Sequence, residues 1–569
     1  MARTVAIGTQ DFADLREGEY FYIDKSYFIK EWWEAGDAVT VIMRPRRFGK
    51  TLNISMLECF FSDRYAGRGD LFQGLSIWQE ERYRQMQGTF PVINLSFAAV
   101  KSGNYKGCYT QICKILEQTF AKHNYLLESD KLDDDQKDSF REARQLLKKK
   151  GDEAETAFVL NTLSELLYVH TGKKPIILLD EYDTPMQEAY IRGFWEEIVD
   201  FVRSLFNATF KTNPSLRRAV MTGITRVSKE SIFSDLNNLE VVSTTAKKYE
   251  TAFGFTQEEV FAAMDEMGLN TSEQKAMVQK WYDGFTFGQM RDMYNPWSII
   301  NFLDKKEFDT YWANTSSNSL VAMQLQRSNA EIKQKFEQFM QGGSLLTKID
   351  EEIVFSELEK TPDAIWSLML ASGYLKIVND GSQQLSNGQK AAQYILTLTN
   401  FETKLMFERL IRQWFGRTEG AYNHFIKALL ADNIWEMNQY MNHIALTTFS
   451  YFDTGTSPIG AEPERFYHGF VLGLIVDLAD QYEICSNRES GLGRYDVMLI
   501  PKENGNAYIF EFKVFHSDAK ERKLEDTVAN ALRQIEEKQY AAELIKKGIP
   551  QECIRKYGFA FQGKKVLIG

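Results

Sequence analysis

The chain has 569 residues, of which 44% are hydrophobic and 25% charged, the make-up of ordinary globular domains, with no biased tract long enough to suggest disorder. A length of this order accommodates about three or four domains, each with its own core. The net charge of −11 opposes a phosphate backbone, so any contact with nucleic acid has to be local.

No apolar run approaches the length of a membrane span; the stretch 470–479 is one of the longest and contains Asp477. The opening MARTVAIGTQDF lacks the basic and then apolar pattern of a secretory signal, so the expected compartment is the cytoplasm and no membrane partner is expected. Cys59, Cys108, Cys113, Cys485 and Cys553 are odd in number and have no CxxC spacing. They are expected to be buried thiols, not disulfides or a zinc site.

In chain order, AVTVIM (38–43) predicts a buried strand that runs into RPRRFGKT and then into the helical pattern of TLNISMLECFF. FPVINLSF (90–97), KPIILL (174–179) and RRAVMT (217–222) predict three more buried strands, separated by helical stretches. That alternation implies a parallel α/β sheet. Residues 126–156 alternate in charge and predict a solvent-facing helical excursion. From about 255 to 450 the pattern is helical and rich in Trp, Phe, Leu and Met, with WYDGFTFG and YNPWSIINFL expected as packing corners. The end of the chain predicts a helix at 463–479, strands at 482–486, 494–500 and 507–514, a helix at 522–547 and a last strand at 556–563. The expected domains are 1–250, 251–450 and 451–569.

The segment after the first strand carries the second half of a phosphate-binding loop, with Gly49, Lys50 and Thr51 completing GKT. In such a Walker A loop the backbone N–H groups and the following helix N-terminus cradle phosphates, while Lys and the hydroxyl reach the β/γ-phosphates and magnesium. The first glycine is replaced by Arg44, and Pro45 removes a donor. The third strand ends in Asp180 and Glu181, the Walker B pattern, in which Asp180 would hold magnesium and Glu181 would act as general base toward water. The strand at 90–97 intervenes between these motifs, as in P-loop ATPases that insert a strand between the two Walker strands. Beyond the fourth strand, TGITRVSK places Thr222, Thr225 and Arg226 at the same sheet edge. Thr222 is expected near the γ-phosphate, and Arg226 is expected either as an arginine finger or as a structural residue. Arg46 and Arg47 either contact phosphate or pack beside it.

IGTQDFADLREGEYFYIDKS, RPRRFGKT and LLDEYDTP, continued by WYDGFTFG, YNPWSI, YWANTSSN and SGYLKI, resemble the bacterial AAA-ATPase-like family over nearly the whole chain. The resemblance implies ATP binding and is consistent with the missing first glycine. Near the end, Asp496 in GRYDVMLI and Glu511 with Lys513 in YIFEFKV carry a second pattern. A spacing of two puts Glu511 and Lys513 on one face of a strand, with Phe510, Phe512 and Val514 on the other. Two carboxylates that hold magnesium and a lysine that positions water suit phosphodiester hydrolysis. With Glu464 and His468 upstream and Gln534 and Lys538 downstream, the order of elements resembles restriction and resolvase-like members of the PD-(D/E)XK nuclease superfamily. Glu464 is a further candidate metal ligand, Gln534 and Lys538 candidate supports one helical turn apart, and His468 a packed residue rather than a ligand.

The expected protein is therefore a multidomain α/β chain. It comprises an N-terminal P-loop NTPase parallel sheet, a helical lid or linker, and a small α/β PD-(D/E)XK-like domain. Its expected cofactors are ATP and Mg²⁺, with DNA or RNA as partner of the last domain and oligomerisation left open. Two readings of function stand side by side: an ATPase coupled to a Mg-dependent nuclease, and a nucleotide-switch regulator whose last domain binds nucleic acid or protein without cutting.

Overall fold

The computed structural model describes residues 3–224, 236–313, 364–380, 521–562 and 565–569 without interruption, and 319–349, 383–448 and 471–515 with gaps. The chain forms two compact units, Met1–Gln324 with Ser344–Thr403, and Leu325–Gly343 with Lys404–Gly569. The stretch 251–450 is thus shared between them.

In the first unit, strands β1 (Val39–Met43), β2 (Val92–Ser96), β3 (Ile176–Asp180), β4 (Arg218–Gly223) and β5 (Leu239–Val242) form one parallel sheet. Their order is β2-β3-β4-β1-β5. Every residue of β1, β3 and β4 is buried, which is why these strands read as largely apolar runs: helices cover both faces. β5 was not expected from the sequence. It is four residues long, lies at the edge and is mostly half-buried, so it carries no such run.

The topology corrects one expectation. The strand between the GKT strand β1 and the acid-bearing strand β3 is β4, and the segment at 90–97 forms the sheet edge instead. Intervening in sequence is not intervening in space, because the crossover connections reorder the strands. The helix Lys50–Phe61 then buries Met56, Leu57, Phe60 and Phe61 among Phe12, Trp32 and Phe72, the main core of this unit.

The charged excursion contains the helix Asp134–Lys149, opened by a reciprocal Asp133–Gln136 capping box. Farther on, the helices Gln257–Glu266, Ser272–Tyr282 and Pro296–Lys305 share a core of Val260, Met264, Tyr282, Ile299 and Phe302. This mainly helical region also holds strands the sequence did not signal. Phe285–Phe287 pairs with Met290–Met293, and Gln393–Leu398 lies between Leu345–Lys348 and Leu375–Asp380. These segments are only three to six residues long and carry no continuous apolar run of the kind that marks a buried strand.

The second unit contains a five-stranded mixed sheet in the order Tyr482–Ser486, Val497–Pro501, Ala507–Val514, Ile554–Gln562, Lys565–Ile568. Ala507–Val514 runs antiparallel to Val497–Pro501 and parallel to Ile554–Gln562. Phe510, Phe512 and Phe559 face a core shared with Phe425, Met437 and Met441 of the helices Glu419–Leu430 and Ile434–Thr448.

Two boundaries differ from expectation. The last strand, Lys565–Ile568, was not foreseen, and the helix expected over 522–547 is broken into Leu524–Glu537 and Ala542–Lys546. Gln539 takes a φ of 54° there, and the Tyr540 N–H closes on the Ile535 carbonyl. The helix expected at 463–479 lies outside the described residues apart from Val471, Ile475 and Leu478, which are buried.

Candidate functional site

The loop between β1 and the helix Lys50–Phe61 is held in an unusual backbone conformation. Gly49 has a φ of 79° and Arg47 a φ of 65°. The first is free for glycine, whereas the second strains a residue with a Cβ by about 1–2 kcal/mol. The loop is anchored by Phe48, which is buried against Phe285 and Phe287 at centroid distances of 4.8 and 5.2 Å. It also faces Gly254, where a Cβ would lie 3.0 Å from the Phe48 ring. Asn295 and the Trp312 indole N–H both donate to the Arg46 carbonyl, at 3.2 and 3.1 Å.

Arg44, in the place of the missing glycine, turns away from this loop. It is fully buried and donates to the carbonyls of Met43 at 2.9 Å and Ser243 at 2.7 Å, with its guanidinium 4.5 Å from the Phe287 ring centre. A structural clamp between β1 and the segment after β5 has replaced a flexible glycine.

Lys50 is 4% exposed, and its ammonium donates to the Arg44 and Pro45 carbonyls at 2.9 and 2.8 Å. Burial lowers its pKa, while Glu181, Asp180 and Asp183 act in the opposite sense. Thr51 Oγ1 donates to Asp180 Oδ2 at 2.8 Å. Asp180, 2% exposed, also accepts from the Thr222 hydroxyl. Its carboxyl is pushed up mainly by burial, with the Thr222 and Thr51 hydrogen bonds opposing. Thr222 in turn accepts from the Glu181 N–H at 3.3 Å. Glu181 has a φ of 51° and accepts from the Thr184 hydroxyl at 3.1 Å.

The sheet order thus brings Thr51, Asp180, Glu181 and Thr222 together. Thr222 is fully buried and serves to hold Asp180. Asp183, not singled out in the sequence, is buried and accepts from the Ile224 N–H at 2.9 Å and from Gln187 at 2.7 Å; its repeat in DEYD was the available signal. Arg226 and Thr225 lie outside the described residues.

Over this cluster opens a cavity of about 450 Å³, lined by Arg46, Arg47, Gly49, Lys50, Thr51 and Glu181 and by residues of the N-terminal segment. Arg46 donates to Gln187 at 3.3 Å, and the Arg47 guanidinium lies 4.4 Å from the Trp297 ring centre.

In the second unit, Glu511 is 2% exposed and Lys513 Nζ lies 3.9 Å from its Oε1. Asp496, immediately before the strand Val497–Pro501, accepts from the Phe512 N–H at 2.8 Å, which sets its carboxylate beside Glu511 and Lys513. Gly558 faces Glu511 across the parallel pairing. A Cβ there would come within 3.0 Å of Ala531, so the helix Leu524–Glu537 settles closely on the sheet and delivers Gln534. The Gln534 amide donates to Glu511 Oε1 and, at 3.1 Å, to the Tyr540 hydroxyl.

Tyr540 was missed in the sequence. Burial raises its pKa, and the charges of Glu511 and Asp496 add to the effect. Lys538, expected to act with Gln534, is exposed at the point where the helix ends. Glu464 and His468 lie outside the described residues. Among the described residues, no group of three or more His, Cys, Asp or Glu is placed to hold a metal ion.

Taken together, the parallel sheet, the mainly helical middle and the mixed C-terminal sheet define a multidomain α/β protein. Residues 6–233 match the family described as "Predicted AAA-ATPase", and residues 462–569 match the PD-(D/E)XK nuclease superfamily. The chain therefore carries one domain of each kind. Among curated proteins it is similar to an uncharacterised protein from the vnfD 5' region of Azotobacter chroococcum mcd 1. The two are 27% identical over 563 residues, covering 96% of this chain and 95% of that relative. No helix among the described residues is long and apolar enough to cross a membrane.

Proposed function

We propose that the first unit binds and hydrolyses ATP, and that the second carries a magnesium-dependent nuclease site acting on nucleic acid. The observation that carries the first half is the hydrogen bond of 2.8 Å between Thr51 and the buried Asp180, beside Lys50. A hydroxyl and a carboxylate in contact at a helix N-terminus are the donor set magnesium takes alongside phosphate oxygens. Bound magnesium would supply charge neutralisation to the triphosphate. In this reading Gly49 and Arg47 shape the Walker A loop, and Lys50 exchanges its two loop carbonyls for phosphate oxygens. Thr222 holds the Walker B acid Asp180 in place. Glu181, next to it on a strained backbone, orients and deprotonates water. Arg46 and Arg47 lie at the cavity wall, where they meet phosphate charge.

In the second unit the oxygens of Asp496 and Glu511 would hold magnesium, which would acidify water for attack on a phosphodiester. Lys513 positions that water, while Gln534 fixes Glu511. The second reading, a nucleotide-switch regulator whose last domain binds without cutting, draws on the same geometry: Glu511 is already engaged by Gln534 and almost fully enclosed.

The test is cleavage of linear, circular and single-stranded DNA by the purified chain in Mg²⁺ or Mn²⁺, with and without ATP. Lys513→Ala should abolish cleavage, and Lys50→Ala should abolish ATP turnover and any ATP dependence of cleavage. Intact ATP turnover with no cleavage in wild type would move the conclusion to the regulator.

A further inference from the structure

Two donors from far along the chain, the Asn295 amide and the Trp312 indole, converge on one carbonyl of the phosphate loop, that of Arg46. Both side chains are enclosed, Asn295 fully and Trp312 at 1% exposure. Asn295 is the N-cap of the helix Pro296–Lys305, where its Oδ1 accepts from the N–H groups of Trp297 at 2.9 Å and Ser298 at 3.3 Å. With that oxygen committed, the amide nitrogen is left to donate to Arg46. Ser or Asp would cap this helix equally well, whereas Asn adds a donor that reaches beyond the cap. The Trp312 ring is wedged between Phe285 and Tyr374, with centroids 5.4 and 5.5 Å away, and its indole nitrogen only donates. A single carboxyl braces both arms: Glu402 accepts from the Trp312 N–H through one oxygen and from the Ser298 hydroxyl through the other.

This arrangement governs the next residue. The Arg46 carbonyl and the Arg47 N–H belong to one planar trans peptide and point in opposite directions. A carbonyl pinned toward Asn295 and Trp312 therefore fixes the Arg47 N–H on the other side of the loop. The same pinning helps to hold Arg47 at its left-handed φ of 65°, two residues before Gly49 at 79°. Successive N–H groups in such a run make an anion-binding concavity. Among the described residues, the N–H groups of Arg47, Phe48 and Gly49 donate to no protein group.

We infer that Asn295 and Trp312 are positioning residues of the phosphate loop, which aim the Arg47 N–H at bound phosphate by fixing the carbonyl of the same peptide; the inference rests on the phosphate-loop reading above. They act through that peptide and not by contact with the ligand. Their effect is to orient the donor before the anion arrives, so that binding requires no reorganisation of the loop.

The experiment titrates the full chain with ATP and with inorganic tripolyphosphate, each with magnesium, by calorimetry. It compares wild type, Lys50→Ala, Asn295→Ser, Trp312→Phe and the double variant, with melting curves to establish folding. Ser keeps an N-cap acceptor but is too short to reach Arg46, and Phe keeps a ring beside Phe285 and Tyr374 without the N–H. The double variant is expected to bind both ligands about tenfold or more weaker, and by the same factor, because one hydrogen bond to a charged group contributes about that much. Ile299→Ala, on the core face of the same helix, is the control. It removes packing but leaves the Arg46 carbonyl held, so its affinities should stay within about twofold of wild type. If Ile299→Ala weakens binding as much as the double variant, the effect is a general loosening of the helical region and the inference falls. It falls equally if the folded double variant binds like wild type, or if the loss is confined to ATP. Should the double variant not fold, Asn295→Ser decides: wild-type affinity overturns the inference, and an equal loss for both ligands supports it. A wild type that binds neither ligand, or a Lys50→Ala that binds like wild type, would bring down the phosphate-loop reading and this inference with it.

Discussion

At the residue scale, Arg44 decides how the departure from the GxxxxGK[ST] pattern should be understood. A glycine opens phosphate loops because the backbone there takes conformations closed to other residues. Arg44 is not among the residues with positive φ, so the loop does not use that freedom at this position. The guanidinium instead donates to the Met43 and Ser243 carbonyls and stacks over Phe287. Restoring the pattern with Arg44→Gly should therefore destabilise the first unit, by about 2–4 kcal/mol, because buried carbonyls lose their donors and a cavity opens. Urea denaturation followed by tryptophan fluorescence measures this. An unchanged or raised midpoint would show that the clamp contributes nothing.

At the element scale, the junction of the helix Phe401–Phe415 with the loop at Trp312 holds an ionisable group in an apolar setting. Glu402 is 1% exposed and accepts from the Trp312 N–H at 2.6 Å, the Ala313 N–H at 3.3 Å and the Ser298 hydroxyl at 2.8 Å. Burial pushes its pKa up to about 7, with these hydrogen bonds opposing. Its unfolded value is about 4.3, so between those values the folded chain keeps a proton that the unfolded chain has released. This group's contribution to stability is therefore complete at low pH and is lost as pH rises through 7, by at most about 4 kcal/mol. Glu402→Gln should flatten that decline. The amide oxygen can accept from both backbone N–H groups, and the Ser298 hydroxyl can rotate to accept from the amide. Melting temperatures of both proteins at pH 5, 6, 7 and 7.5 test it; parallel curves would show that Glu402 does not titrate in this range.

At the scale of the whole molecule, two compact units with separate cores should unfold in two steps, because a single cooperative transition belongs to single domains. Saturating ATP with magnesium should raise only the transition of the unit that contains Lys50. The expected gain is about 2.7 kcal/mol at a hundredfold excess over Kd. Scanning calorimetry of wild type and Lys50→Ala shows this directly. A ligand shift carried by the other transition, or retained in Lys50→Ala, would place nucleotide elsewhere. The same scale governs nucleic acid: with a net charge of −11, binding at the second unit has to rely on a local cationic surface and should weaken steeply with salt.

What could be read from the sequence was local. GKT after an apolar strand, the acids ending IILLD and the alternation of YIFEFKV are legible because strand burial and side-chain alternation are decided by near neighbours. The five-residue cores of β1 and β3 and the central strand Ala507–Val514 fall where those patterns lie. Short edge strands such as Leu239–Val242, and the break after Glu537, left too weak a pattern to read. The remaining features join residues tens to hundreds of positions apart. β4 enters the sheet between the two motif strands and sets Thr222 on Asp180; Arg44 reaches the carbonyl of Ser243; Gln534 meets Glu511 where Gly558 lets a helix approach; and the N-terminal segment lines the same cavity as the phosphate loop. No local pattern encodes such contacts, because they exist only once crossover connections and close packing have fixed which surfaces meet.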